Sequence, residues 1–405
     1  MNDPSRVRFV GPLEPFAAGF AAELSRQGYT RDSACMQMRL MAHVSRWLAD
    51  EGLDVHGLCA AEVARFLGDR RGAGYTFQLS EKALRPLLTY LRQVGAVPPP
   101  SVTAPDGPVE ELLERFRHYL TVERGLGGPT ARGYTDAIRP FLQGRMSSDG
   151  FDLRLACLNA ADIARFVVAR CPSQSHSPAK LTVTALRSLL GFLYMEGVLP
   201  RPLAAAVPAV AGWRLAELPK ALEPKEVRSL MASCDRRTGT GRRDFAMLSL
   251  LTRLGLRSGE VSALSLDDID WRAGMLVVRG KGNRVESMPL PTDVGEAVVA
   301  YLHRGRPASA EGRTVFVRVK APHRALSPTG VTQAVAAASQ RAGLGQIYAH
   351  RLRHTAATQM LRAGASLPEI GQVLRHRRAL TTAIYAKVDR DALRTIARRW
   401  LGDAA

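Results

Sequence analysis

The sequence predicts a mainly α-helical protein with a small antiparallel β-sheet in its C-terminal part and two related all-helical units ahead of it. Three observations predict this. Apolar residues recur at i, i+3, i+4 and i+7 through most of the chain, as in Leu186, Leu189, Leu190 and Leu193, which is the stripe of a core-facing helix. Two short β-rich runs, 275–279 and 284–290, flank Gly280-Lys281-Gly282-Asn283, the composition of a hairpin turn. Two blocks of residues also recur about a hundred positions apart.

The recurrence defines the first two units. Leu58-Cys-Ala-Ala-Glu-Val-Ala-Arg-Phe66 returns as Leu158-Asn-Ala-Ala-Asp-Ile-Ala-Arg-Phe166. Further on, Ala83, Leu84, Arg85, Leu87, Leu88, Leu91, Gly95 and Pro98 return as Ala185, Leu186, Arg187, Leu189, Leu190, Leu193, Gly197 and Pro200. Two blocks in near-identical register imply tandem duplication of a helical unit. Proline-rich seams at 97–108 and 199–219 separate the units, because proline removes a backbone donor and disfavours helix before it. The expected division is 1–100, 108–200 and 217–405. In the third unit 224–234 and 243–254 read as helices, the hairpin follows, and helical period returns towards the C-terminus.

Composition bounds the function. Among 405 residues, 56 Lys+Arg stand against 37 Asp+Glu, a formal net charge of +19. Such a balance points to nucleic acid, since cations that neutralise phosphates release condensed counterions; a coding bias towards surface arginine is the plainer alternative. On the polar faces of the second unit, Arg132, Arg139, Lys180 and Arg187 are candidates to meet phosphates or simply to be solvated. A hydrophobic fraction of 46% argues against wholesale disorder. No apolar run approaches the roughly 18 residues of a membrane span, and residues 1–8 lack the apolar core of a signal peptide. Five scattered cysteines, none in a CxxC pair, argue against disulfides and a zinc site and fit a reducing cytoplasm, the expected location.

The chemistry-bearing residues lie in the third unit. Gly255-Leu-Arg-Ser-Gly-Glu-Val261 sets Arg257 at a helix end, where its planar fork can reach two phosphate oxygens or pair with Glu260. Lys281 stands at the hairpin tip, either merely exposed or poised for a DNA groove. In His350-Arg-Leu-Arg353-His354, residues 350 and 353 share a helical face. Arg375-His376 then precedes Thr381-Thr-Ala-Ile-Tyr385. Two Arg, a Lys and two His can surround one phosphate while a tyrosine attacks it, stabilising the charge that phosphoryl transfer spreads over the equatorial oxygens. No acidic cluster between Arg257 and Tyr385 has the spacing that holds Mg²⁺, so a reaction without metal or other cofactor is expected.

These motifs, in this order, resemble the catalytic domain of the tyrosine recombinases, the phage-integrase family. PKALEPKEVRSLM opens the region, followed by GLRSGEV, RGKGNRVESMPL, HRLRHTAATQML with AGASLPEIGQVL, and RHRRALTTAIYAKV. The resemblance spans roughly 218–388. By pattern, the second helical unit resembles the family's core-binding domain, and the first is an extra core-binding-like copy. The resemblance implies a site-specific DNA recombinase of the integrase/transposase type, working through a 3′-phosphotyrosyl intermediate and a Holliday junction. It implies that Tyr385 is the nucleophile, Arg257 and Arg353 clamp the nonbridging oxygens, and Lys281 protonates the departing 5′-oxygen. His350 then assists proton transfer at the tyrosine, His376 hydrogen-bonds the phosphate, and Glu260 supports the first Arg. Arg284 and Arg375 join the DNA-binding candidates.

Two departures stand out. Arg375 occupies a position where the family most often has Gly, which adds a phosphate contact or alters the turn. The first unit does not resemble the small β-sheet arm-binding domain of some phage integrases, and either extends the DNA clamp or contacts a neighbouring protomer. An amphipathic helix over 391–401, with Leu393, Ile396, Ala397, Trp400 and Leu401 near one face, docks either on an adjacent protomer or on its own domain. Expected partners are double-stranded recombination sites, three further copies in a homo-tetramer, and sister recombinases or DNA-bending proteins, with no membrane. Integration, transposition with a mobile element, and resolution all stay open. The alternatives are relaxation of one duplex in the manner of a type IB topoisomerase and noncatalytic DNA binding.

Overall fold

The structure, a computed structural model, describes residue 4 and residues 7–99, 107–147, 149–210, 221–280, 284–376 and 379–388. Its contacts gather into two compact units, one formed by 1–100 with 217–405 and the other by 101–216. Among the described residues no helix is long and apolar enough to cross a membrane.

Residues 7–97 pack helices α1 (Ala17–Arg26), α2 (Arg31–Asp50), α3 (Ala60–Gly72) and α4 (Glu81–Gln93) around Phe20, Leu24, Met41, Phe66 and Leu87. Thr30 starts α2 by accepting the Ser33 N–H on its hydroxyl, satisfying one of the orphan donors of the first turn. The 101–216 unit repeats the plan with α5 (Pro108–His118), α6 (Gly128–Gln143), α7 (Ala160–Arg170) and α8 (His176–Met195). Asn159 and Asp162 cap α7 reciprocally.

The duplicated sequence is visible as duplicated burial. Leu84, Leu87, Leu88 and Leu91 on α4 are buried, and so are Leu186, Leu189, Leu190 and Leu193 on α8. Each stripe ends in the same way. Gly95 and Gly197 take φ of +73° and +72°, and the next N–H reaches back to the Leu91 or Leu193 carbonyl at 2.8 and 3.0 Å. That closure needs a left-handed residue, which glycine supplies without a Cβ penalty.

The remainder runs α9 (Pro224–Ala232), α10 (Gly239–Arg253), α11 (Ser258–Ala263), β1 (Ile269–Asp270), β2 (Met275–Gly280) and β3 (Arg284–Pro289). It continues with α12 (Thr292–Arg304), α13 (Pro328–Arg341), α14 (Ala349–Arg362), α15 (Leu367–Val373) and α16 (Ala379–Thr382), then a 3-10 turn over Ala383–Val388. Helix α10 is buried almost all round, packing Met247, Leu250 and Leu251 among α12, α13 and α14. The sheet is antiparallel in the order β1-β2-β3, with Val278 opposite Glu286 and Gly280 opposite Arg284. Leu276 and Val278 point into the core by the two-residue alternation of a strand. The two strands of the hairpin stand where the sequence predicts them. Strand β1 is two residues long, too short for any period to announce it. The hairpin tip 281–283 and the predicted tail helix 391–401 lie outside the described residues.

A second, smaller apolar cluster joins Ala357 of α14, Ile370 and Leu374 of α15, and Tyr385. The main core meets it at Gly255, whose φ is +59° and whose absent Cβ would stand 2.5 Å from Leu374 Cδ2. Gly274, in the same unit, has φ +62° and open space around it. Gly274→Ala is expected to lose about 1–2 kcal/mol, the left-handed cost alone. Gly255→Ala should lose a further ~1–3 kcal/mol from overpacking. Urea melts of the two variants check the order; equal midpoints would refute the packing argument.

Candidate active site

Helix α10 ends at Leu254, Gly255 turns the chain, and Arg257 becomes the residue that precedes α11. Three positions on, Glu260 accepts the Arg257 backbone N–H at 2.8 Å and its Nη1 at 2.6 Å. Arg375, arriving after α15, donates Nη2 at 2.9 Å to Glu260 Oε2, the oxygen that also takes the Arg257 backbone N–H. One buried carboxylate therefore serves two guanidinium groups. Burial pushes the Glu260 carboxyl up, but the Arg257 N–H and the two guanidiniums outweigh it and hold it below the usual range. The Arg257 side chain keeps 41% of its surface although both terminal nitrogens are held, Nη1 by Glu260 and Nη2 by the Arg375 carbonyl at 3.3 Å.

Arg353 is the opposite case, only 2% exposed. Its Nη1 donates to the Gly255 carbonyl at 2.5 Å and its Nη2 to the Leu374 carbonyl. Burial first, and then the neighbouring Arg257, lower its pKa to about 10, which leaves it charged at neutral pH.

Helix α14 also carries His350 and His354, whose rings meet edge-on with centroids 4.4 Å apart. His354 Nδ1 lies 2.9 Å from Tyr385 Oη. Burial, then His350 and Arg353, push His354 down to about 4, so its ring is neutral and free to accept the phenolic proton. His350 is shifted down by burial, Arg353 and Arg257. His376 stacks on the other side of Tyr385, with centroids 6.4 Å apart and planes within 6°, and its Nδ1 is 2.8 Å from Thr382 Oγ1. It too is pushed down to about 4, by burial and then by Arg353 and Arg257. Tyr385 itself is 1% exposed, and burial raises its phenol.

The structure thus gathers Arg257, Glu260, His350, Arg353, His376 and Tyr385, which come from three separate stretches of the sequence, 257–260, 350–353 and 376–385. Lys281 lies outside the described residues, and Arg284 opens β3. Arg375 departs from the expected phosphate contact. Its side chain is 7% exposed and spent on Glu260 and the Val373 carbonyl. Its φ of +55° is the conformation glycine adopts freely, so Arg375 keeps a glycine-type turn in spite of its side chain. In the 101–216 unit Arg132 and Lys180 are exposed on α6 and α8. Arg139 instead pairs with Glu110, and Arg187 donates to the Val207 carbonyl at 2.8 Å. His354 is the residue that sequence reasoning left without a role. Its four-residue spacing from His350 was the available signal, because such a pair shares a helix face.

The sequence profile of the Phage integrase family matches residues 220–391. A Sinorhizobium fredii (strain NBRC 101917 / NGR234) protein named as an integrase/recombinase is 42% identical over 398 residues, 97% of this chain and 96% of that one. Tyrosine recombinase XerD of Mycobacterium tuberculosis is 33% identical over 308 residues, 72% of this chain and 96% of its own length. The chain belongs to the phage-integrase family of tyrosine recombinases. It is a site-specific recombinase, an enzyme that breaks and rejoins DNA. Among solved structures, XerH bound to palindromic difH substrate in a post-cleavage complex has a TM-score of 0.57 at 19% identity. It covers 84% of the recombinase and 94% of that chain, and it shows a shared fold.

Two outcomes follow for the recombinase. A histidine whose folded pKa is depressed leaves the unfolded chain to bind protons first, so stability is whole above the ordinary value of 6.5 and falls as pH drops towards about 4. Thermal melts from pH 7.5 to 4 are expected to show this loss, with a shallower slope for His354→Gln; parallel curves would refute the assignment. Glu260→Gln strands the buried Arg375 cation, and a cost on the order of 3 kcal/mol is expected in urea unfolding.

Proposed function

We propose that this recombinase cuts each strand with Tyr385, assisted by Arg257, Lys281, His350, Arg353 and His376, and that no metal takes part. Tyr385 Oη bonds to the scissile phosphorus while the bond from phosphorus to the 5′-oxygen breaks. The phenolic proton leaves to a neutral histidine, His350 by family resemblance with His354 the nearest acceptor, and Lys281 returns a proton to the departing 5′-oxygen. A 3′-phosphotyrosyl link results. A 5′-hydroxyl from the other duplex then reverses the step, so no energy source beyond the ester is needed. Arg257 and Arg353 hold the nonbridging oxygens, with His376 donating to one of them.

The observation that carries this reading is the convergence of two guanidinium groups, two histidines and one tyrosine from separate chain segments. A phosphate cannot reach Tyr385 at 1% exposure or Arg353 at 2%, so the 383–388 turn must swing outward before attack. Among the described residues its side-chain anchors are the His354 hydrogen bond and the small apolar cluster.

The assembly follows from counting. Exchange between two duplexes cuts four strands and each chain brings one Tyr385, so we read the active form as a homo-tetramer on two paired sites, passing through a Holliday junction. Arg132 and Lys180 are the second unit's best-placed phosphate contacts. We read the chain as three functional domains, 1–100, 108–200 and 217–405, acting on cytoplasmic DNA.

A suicide duplex nicked beside the cleavage site is expected to trap a covalent adduct with the natural chain and none with Tyr385→Phe. An adduct in the variant would reassign the nucleophile. Lys281→Ala should slow cleavage by roughly 10²–10⁴-fold. A 5′-bridging sulfur, which leaves without protonation, should restore the rate; failure to restore it would remove Lys281 as the proton donor.

A further inference from the structure

The unit formed by 1–100 and 217–405 carries a half-open cavity that strand cleavage does not use. It lies where the end of α1, α2 and α4 face the turn over residues 318–324, and it measures about 280 Å³. Tyr29, Lys82, Arg85, Arg318 and Arg324 stand in its wall. The packing around it is close. Gly28 takes φ +79°, and a Cβ there would overlap Ser309 and His323. Beside it Arg26 pairs with Glu311.

Four cations line this cavity and no carboxylate does. Among the described residues Arg26 and Arg313 have taken the nearby acids, pairing with Glu23, Glu311 and Asp267, whereas Lys82, Arg85, Arg318 and Arg324 form no ion pair. The charges of Arg318 and Arg324 are felt at Tyr29, where they oppose the rise that burial imposes on the phenol. Gln37, also in the wall, has a buried side-chain oxygen without a partner. Like charges around one space repel, and an oxyanion there turns the repulsion into attraction. The guanidinium forks of Arg85, Arg318 and Arg324 suit a tetrahedral phosphate better than a lone point charge would.

We propose that this cavity is a phosphate-binding site separate from the catalytic one, through which α4 and the 318–324 turn together hold a backbone phosphate of bound DNA. The N-terminal helices then add to the DNA clamp in cis. Free inorganic phosphate shares the chemistry, and the test separates the two sources.

The experiment uses the full chain and two double variants, Lys82→Gln/Arg85→Gln and Arg318→Gln/Arg324→Gln, with Lys320→Gln as a neighbouring control. All five positions are exposed, and circular dichroism checks folding. Duplex affinity is measured across KCl concentrations. Each lost phosphate contact is expected to reduce the slope of log K against log[KCl] by about 1 in both double variants and not in the control. Stabilisation by inorganic phosphate over chloride at equal ionic strength is the second arm. Loss of that stabilisation with an unchanged DNA slope would keep the site and assign it to free phosphate, overturning the DNA occupant. No change in either arm, or an equal effect of Lys320→Gln, overturns the site. Adduct formation on the suicide duplex at saturating DNA is expected to be unaffected. Its loss with an unaltered slope would overturn the separation from the catalytic site, leaving Tyr385→Phe as the distinct test of the nucleophile.

Discussion

A guanidinium ion taken out of water must find oxygen, and Arg353 finds it in two backbone carbonyls that belong to different parts of the chain. Gly255 offers the carbonyl that follows α10, and Leu374 offers the one that follows α15. Arg353 therefore ties together the turn that presents Arg257, the helix that carries both histidines, and the segment that leads to His376 and Tyr385. Each tie is a charge-assisted hydrogen bond in a low-dielectric interior, where leaving either partner unmade costs far more than at the surface. Gly255 makes this possible at close range, since any side chain there would meet Leu374.

The electrostatics of the site follow from that placement. Positive charge accumulates at Arg257, Arg353 and Arg375, and Glu260 is the carboxylate that touches two of them. Burial first, and then the neighbouring charges, strip the protons from His354 and His376, so both rings are held neutral. A neutral His354 can take the hydrogen bond of Tyr385, which keeps the phenol inside a small apolar cluster. Clustered positive charge and a sequestered tyrosine are thus two results of one arrangement.

The helical parts show how duplication persists in three dimensions. The leucine stripes of α4 and α8 and the left-handed glycines that close them are the same device used twice. What differs is the polar surface. Arg187 in the later copy holds the Val207 carbonyl, whereas its counterpart Arg85 faces a cavity with three other cations. Burial constrains the inner face in both copies and leaves the outer face free to acquire separate duties.

Much of this was legible beforehand. Helical period marked the leucine stripes, glycine and asparagine marked the hairpin, and the ordered motifs named the family and six residues that the fold brings together. Those signals are local, set by backbone sterics and by which side chain shares a face with which. The pairing of Tyr385 with His354 was not legible, because it joins residues on two elements whose approach depends on the packing of α14, α15 and the 383–388 turn. The burial of Arg375 against Glu260 was hidden for the same reason, as was the cationic cavity shared by α4 and the 318–324 turn. Residue types and spacing decided which chemistry the chain carries; only long-range packing decided which of its charges are spent within the protein and which still face outward.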